Sequence, residues 1–186
     1  MGDYNQYYLS ENLFGTPYPE LVSYFKTCKV GNVLDLGCGQ GRDALFLAQL
    51  GFSVTAVDSS EVGISQMLDV SKNQGLKLNG LVADIYEWDD FSSFDYVLLD
   101  SMFHFLKEDR TKELRFIHKI FEGIKTGGIV VFCIQDSKGK VSVLEDAIAQ
   151  NKKIVTISKV PFIYAFNDDE TGDSSEMDYK LISVQK

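Results

Sequence analysis

VLDLGCGQGRD, residues 33–43, is an apolar run broken by one acid and closed by three glycines. Run-then-glycines reads as a buried strand turning into a helix. Gly37, Gly39 and Gly41 allow a tight turn and let a ligand approach the backbone closely. The spacing is G-x-G-x-G. The dinucleotide fingerprint G-x-G-x-x-G needs its third glycine where this chain has Arg42, and the phosphate loop G-x-x-x-x-G-K-[ST] is absent. Asp35 stands two residues before the first glycine, inside the apolar run. A buried carboxylate needs a partner. A cationic or donor-rich ligand at the strand tip supplies one and a pyrophosphate repels it; the alternative is an acid satisfied by N–H groups of the glycine loop itself.

Outward from this loop, apolar runs and helical patterns alternate, the signature of an α/β sheet. PELVSYFKTC places Leu21, Val22, Phe25 and Cys28 at helical spacing, with Pro19 at its start. NVLDLG is the first strand, RDALFLAQLG a helix closed by Gly51, and SVTAVD the second strand. SSEVGISQMLDVSKNQG is a helix with serines available as its cap. LNGLVADI and FDYVLLD are the third and fourth strands. Leu114, Ile117, Phe121 and Ile124 form the stripe of another helix, followed by the strand IVVFCIQ and the helix VSVLEDAIAQN. KIVTISKVPFIYAF and DYKLISVQK are β-like and separated by an acidic loop, so they are expected to pair as an antiparallel hairpin. The reading is five βα-type units and a hairpin: one doubly wound, Rossmann-like α/β domain with a mostly parallel seven-stranded sheet and an N-terminal helical cap. Its expected divisions are a cap segment (1–29), a cofactor-binding core (30–134) and a last helix with hairpin (135–186).

The chain has 186 residues and a formal net charge of −9, which disfavours a nucleic-acid binder. No apolar run approaches the roughly 20 residues of a membrane span, and the N-terminal residues lack the basic start and apolar stretch of a secretory signal. Three scattered cysteines (Cys28, Cys38, Cys133) suggest neither a disulfide framework nor a metal site, and a cytoplasmic location is expected.

Ligands of doubly wound sheets bind at the carboxyl ends of the strands. Three acids lie at such ends. Asp58, ending the second strand, can accept both hydroxyls of a ribose. Asp84, ending the third, can accept an adenine amine, with the Ile85 N–H facing a ring nitrogen, or be a plain turn residue. With Asp35 they suggest a ligand with a ribose, an amine and a positive charge.

These residues resemble class I S-adenosylmethionine-dependent methyltransferases. VLDLGCGQGRDALFLAQLGFSVTAVDSS is similar to that family's nucleotide-binding core, and LVADI, FDYVLLD and IKTGGIVVFCI match its later motifs in order. The Tyr-rich lead-in and FGTPYPELVSYF resemble the small tellurite-resistance and thiopurine-type group. The resemblance implies S-adenosylmethionine as cofactor, S-adenosylhomocysteine as product and a small-molecule acceptor. It implies that the Asp35 region with Gly37, Cys38, Gly39, Gly41 and Arg42 holds the methionine part. Asp58, with Ser59 beside it, takes the ribose; Asp84 and Ile85 take the adenine; Asp100 and Ser101 lie near the methyl and the acceptor.

A sulfonium methyl is already activated, so a general base is needed only when the acceptor must lose a proton. His104, in DSMFHFL, is the candidate beside Asp100; a packed, hydrogen-bonded His between Phe103 and Phe105 is the competing role. His118 reads as structural or surface. Arg42 faces either the cofactor carboxylate or solvent. Tyr4, Tyr7 and Tyr8 belong to an aromatic flap or a frayed terminus, residues 167–178 read as a solvated loop with a lid as the alternative, and Phe162, Tyr164 and Phe166 share a face that packs on the sheet or lines the acceptor site. The rival functions are an S-adenosylmethionine-binding protein without turnover and an NAD-dependent oxidoreductase, which the missing third glycine and Asp35 oppose.

Overall fold

The computed structural model describes residues 13–167 and 174–186, together with Asn5 and Tyr8. The chain runs α1 (Pro19–Thr27), β1 (Asn32–Leu36), α2 (Arg42–Gln49), β2 (Ser53–Asp58), α3 (Glu61–Gln74), β3 (Leu78–Val82), β4 (Tyr96–Asp100), α4 (Arg110–Gly123), β5 (Ile129–Gln135), α5 (Lys140–Gln150), β6 (Val155–Asn167) and β7 (Ser174–Gln185). The seven strands form one sheet in the order β3-β2-β1-β4-β5-β7-β6. β1 to β5 are parallel, and β7 pairs antiparallel with both β5 and β6.

The period-2 alternation of the strands builds a core on each face. Val33, Val54, Ala56 and Leu98 pack under α1, α2 and α3, through Leu21, Phe25, Leu47, Ile64 and Met67. Leu34, Leu36, Val97 and Leu99 pack under α4 and α5, through Phe116, Ile117, Ile120, Phe121 and Leu144. Asp35 therefore points to the first face, toward the start of α2.

β2 and β3 lie on one side of β1 and β4 and β5 on the other, so the strand order reverses between β1 and β4 and the crevice of the sheet opens where the glycine loop leaves β1. Ser60 caps α3, its hydroxyl accepting from the Gly63 N–H, and Gly75 ends that helix in the left-handed conformation.

Three readings of the sequence are corrected. β3 leads not into a helix but into a single 3-10 turn, Ile85–Glu87. Asp84 caps it by accepting the Tyr86 N–H, and the polar, turn-rich EWDDFSS that follows offers too few apolar positions for a longer helix. The buried stripe of α4 is also wider than Leu114, Ile117, Phe121 and Ile124. It includes Phe116, Ile120 and the acid Glu113, while Leu114 is half-buried. The hairpin forms, but β7 begins at Ser174, so residues 174–178 are strand paired with β6 and not loop; the pair has a register shift between Thr156 and Ser158 and β6 on the edge. Lys159 and Pro161 stand on that edge strand and oppose further pairing.

Candidate active site

A cavity of about 1160 Å³ opens at the carboxyl ends of β1 to β4. Its floor is the turn after β1. Gly37, Gly39 and Gly41 have φ of 81°, 53° and 81°, a region that favours glycine. The Gly37 and Cys38 N–H groups donate to the Val57 carbonyl, at 2.8 and 3.2 Å, which binds the turn to β2. A side chain on Gly39 would come within 2.6 Å of the Tyr8 hydroxyl, so the cradle has no room for one.

The N–H groups of Gly37, Cys38, Gly39 and Gly41 donate to Val57, Asp58 and Cys38 and not to Asp35. That alternative is overturned: Asp35 is 3% exposed, and its Oδ2 has no hydrogen-bond partner. Burial pushes its carboxyl well above the usual range; nearby Asp43 and Asp100 push it further, and Arg42 only partly opposes them. Asp58 is buried and organises the loop. Its Oδ2 accepts the Gly39 N–H at 2.9 Å and its Oδ1 the Ser60 N–H at 2.8 Å. Ser59 is exposed beside it on the cavity wall. Asp84 Oδ1 accepts the Tyr86 N–H at 2.9 Å, so Asp84 does act as a turn residue; with Ile85 it also lines the cavity.

Arg42 does not face solvent, which removes one of its two sequence readings. Its Nε and Nη2 donate to Asp43 at 3.0 and 2.8 Å, Nη2 also pairs with Asp100, and its guanidinium lies 4.3 Å over the Tyr18 ring. Asp100 Oδ1 accepts the Ser101 hydroxyl at 2.9 Å, and the Ser101 and Tyr179 hydroxyls are 3.2 Å apart. Burial raises the Asp100 carboxyl to about 7; Arg42 opposes this rise and Asp43 adds to it. Ser101 has φ of 57°, a strained conformation for a side-chain-bearing residue, of the kind concentrated at functional sites. The Cys38 thiol is pushed well up by burial and by Asp35 and Asp58, which leaves it protonated and a poor nucleophile.

His104 is exposed on the cavity wall, so it is not the packed residue of the competing reading. Alternation along the loop turns Phe103 inward, where it stacks on Phe105 at 5.8 Å, and leaves His104 outside. His118 is half-buried, edge-on to Phe121.

Three residues escaped the sequence reading. Glu113 on α4 is buried, its Oε1 accepting the His104 N–H at 2.9 Å and its Oε2 the Phe105 N–H at 2.7 Å. The signal was present: Glu113 precedes Phe116 and Ile117 by three and four residues, which puts an acid on the buried stripe. Tyr18 and Tyr179 meet at 5.7 Å, and each also contacts Tyr164 and Phe162. Both faces proposed for the hairpin aromatics are thus used: Phe162 packs on the sheet and Tyr164 lines the cavity. The Phe166 side chain lies outside the described residues. Of the flap tyrosines, Tyr8 packs over the glycine loop and its carbonyl accepts from Gln66 at 2.9 Å. Tyr4, Tyr7 and residues 168–173 lie outside the described residues.

The unpartnered Asp35 oxygen, the closed glycine cradle and the carboxylate ending β2 fit S-adenosylmethionine, whose amine, sulfonium and ribose match them in charge and hydrogen bonding. The fold also matches solved structures. TehB from Haemophilus influenzae superposes with a TM-score of 0.74 at 20% identity, over 98% of this chain and 67% of that one. Magnesium protoporphyrin IX methyltransferase from Synechocystis, solved with bound S-adenosylmethionine, gives 0.73 at 14% identity, over 100% and 98%. The fold is the Rossmann-like one of class I S-adenosylmethionine-dependent methyltransferases.

A sequence model of the tellurite resistance protein TehB family matches residues 3–173, and the chain belongs to that family. Among curated proteins, the "Probable S-adenosyl-L-methionine-dependent methyltransferase TehB" of Haemophilus influenzae is 30% identical over 109 residues, 59% of this chain and 37% of that protein. The chain spans about a third to a half of the length of the curated relatives it matches.

Proposed function

We propose that this chain binds S-adenosylmethionine in the cavity and transfers its methyl group to a small-molecule acceptor, releasing S-adenosylhomocysteine. The observation that carries the reading is buried Asp35, whose Oδ2 has no hydrogen-bond partner, beneath a glycine cradle. It calls for a cationic, donor-bearing ligand and counts against the pyrophosphate of NAD.

Bound there, the cofactor supplies an activated methyl group on a sulfonium. Asp35 receives the amine, with Gly37, Cys38, Gly39 and Gly41 giving the close backbone approach and Arg42 as the basic group for the carboxylate. Asp58, with Ser59, accepts from the ribose hydroxyls; Asp84 and the Ile85 N–H address the adenine. Ser101 and Asp100 border the space where donor and acceptor meet. The residues of this chain mainly orient the two reactants, an effect worth up to roughly 10 kcal/mol of barrier. His104, exposed on the wall, and Asp100, raised toward neutrality, are the groups able to take a proton from an acceptor that must lose one. The 1–186 unit is read as one methyltransferase domain divided at residues 29 and 134. Its three free thiols support a reducing, cytoplasmic setting.

Titration calorimetry with S-adenosylmethionine and S-adenosylhomocysteine tests the reading. Wild type is expected to bind both, and Asp58→Ala to weaken binding by about 100-fold, the loss of two hydrogen bonds to a charged group. Wild type that binds neither overturns the assignment. Unchanged affinity in the variant removes the ribose role.

A further inference from the structure

Asp100 ends a chain of hydroxyls that runs in one direction. Its Oδ2 pairs with Arg42 and its Oδ1 accepts the Ser101 hydroxyl at 2.9 Å. Both carboxylate oxygens are thus engaged, and Ser101 has spent its one proton. The Ser101 and Tyr179 hydroxyls are 3.2 Å apart. With no proton left on Ser101 for this contact, Tyr179 is the donor and Ser101 the acceptor. The Tyr18 hydroxyl reaches the same two oxygens. Burial raises both tyrosines, so each keeps its proton. The protons of Ser101 and Tyr179 therefore point toward Asp100. What Tyr179 has left to offer the cavity it lines is an oxygen lone pair.

An oxygen that can only accept selects its ligand. A group that donates a hydrogen bond extends the chain by one member. An ether, which has lone pairs alone, leaves the Tyr179 oxygen desolvated and unpaired. An O–H is the strong donor for such a place, and an S–H is a weak one. The surface around this oxygen is aromatic and apolar. The Tyr164 ring lies 5.8 Å from that of Tyr179, and Met177 stands opposite Tyr164 in the β6–β7 ladder and lines the same cavity. Rings pack well on rings and on a thioether.

We propose that the methyl acceptor is a small aromatic compound with a free hydroxyl, and that Tyr179 selects it by accepting the hydrogen bond of that hydroxyl. This rests on the methyltransferase reading of the same site and adds the substrate class. In the transfer, the acceptor oxygen forms the bond to the methyl carbon and the C–S electron pair returns to sulfur. The acceptor's proton passes through Tyr179 and Ser101 to the Asp100 carboxylate. The ether so formed has no proton to donate, so the product loses the bond that held the acceptor.

The test is calorimetry on the full chain at about pH 8, above the Asp100 carboxyl. S-adenosylhomocysteine is titrated first, and a wild type that does not bind it refutes the methyltransferase reading itself. The saturated protein is then titrated with phenol and with anisole, its methyl ether. On burial alone the extra methyl of anisole would favour it about fourfold. Phenol is instead expected to bind at least about tenfold tighter. Tyr179→Phe is expected to weaken phenol. Ser101→Gly, which suits the φ of 57°, is expected to tighten anisole, because the Tyr179 proton is then free to turn to the ether oxygen. In both variants the preference for phenol shrinks to within about threefold, and binding of S-adenosylhomocysteine shows that each is folded. Wild type that binds S-adenosylhomocysteine but does not bind phenol, or prefers it by less than about tenfold, overturns the proposal. So does a preference kept in full by either folded variant.

Discussion

Glu113→Gln is the substitution for which the structure gives the clearest magnitude. The wild-type carboxylate, 3% exposed, accepts two backbone N–H groups, from His104 and Phe105. Phe105 has φ of 51°, so the loop is held in a conformation it would not adopt unaided. Glutamine keeps one acceptor oxygen and turns an NH2 group toward the other N–H. One hydrogen bond to a charged group is lost, the second is reduced to a neutral one, and a buried donor is left facing a donor. At about 1.5–3 kcal/mol for the first loss alone, the total is about 3 kcal/mol. For a chain of this size that corresponds to a fall in Tm of about 6–12 °C if the whole domain feels it. If the loop opens by itself, the loss appears as faster amide exchange at His104 and Phe105, with a smaller change in Tm. Differential scanning calorimetry and hydrogen exchange on wild type and variant cover both cases. A Tm within about 2 °C of wild type together with unchanged exchange at both amides refutes the reasoning.

Three further outcomes are expected. Gly63→Ala should gain about 1 kcal/mol of helix propensity; its Cβ, however, falls 2.6 Å from the Gly39 carbonyl oxygen and 3.1 Å from the Tyr8 ring. The expected net result is a lower Tm and binding of S-adenosylhomocysteine weakened by about tenfold or more, and a stabilised variant with intact affinity contradicts it. Asp100→Asn bears on pH: the folded carboxyl sits at about 7 against about 3.9 unfolded, so its contribution to stability is full below about 4 and is lost as the pH rises to about 7. Urea midpoints measured across that window should fall less steeply in the variant; parallel curves would exclude the effect. His104→Gln should lower turnover by about 100-fold for an acceptor that must lose a proton, and remove the ascending limb of the rate–pH profile, whereas an unaltered profile excludes His104 as the base.

What the sequence disclosed was local. Alternation of strand and helix patterns located every strand, because a run such as IVVFCIQ is too short and too apolar to be anything but a buried strand. Asp35 was legible because a charge inside such a run has no ordinary explanation. Glu113 was missed although it lies on the α4 stripe, since a stripe drawn through Leu114 places its neighbour at the edge instead of the centre. Tyr18 and Tyr179 could not be found at all by spacing. They are brought together by the placement of β7 beside β5, in a contact between residues near opposite ends of the chain. Arg42 was ambiguous for the same reason: Asp43 is adjacent in sequence, but Asp100 arrives from β4.

β7 lies between β5 and β6, and this divides the cavity by origin. The floor proposed to seat the donor is built from residues 33–85. The aromatic wall, Tyr18 aside, comes from a hairpin after residue 154. The hairpin joins the sheet through a backbone ladder to β5, Ile129 with Gln185 through Gln135 with Tyr179, in which pairing depends on main-chain groups and not on which side chains face the cavity. The hairpin's buried Leu181, Ile182 and Val184 seat it in the core, which leaves its cavity-facing positions as the ones able to vary. Descendants of one ancestral chain can diverge in what they modify by rewriting these positions while the donor's seat stays untouched, and substitutions there offer a direct route to altering selectivity by design.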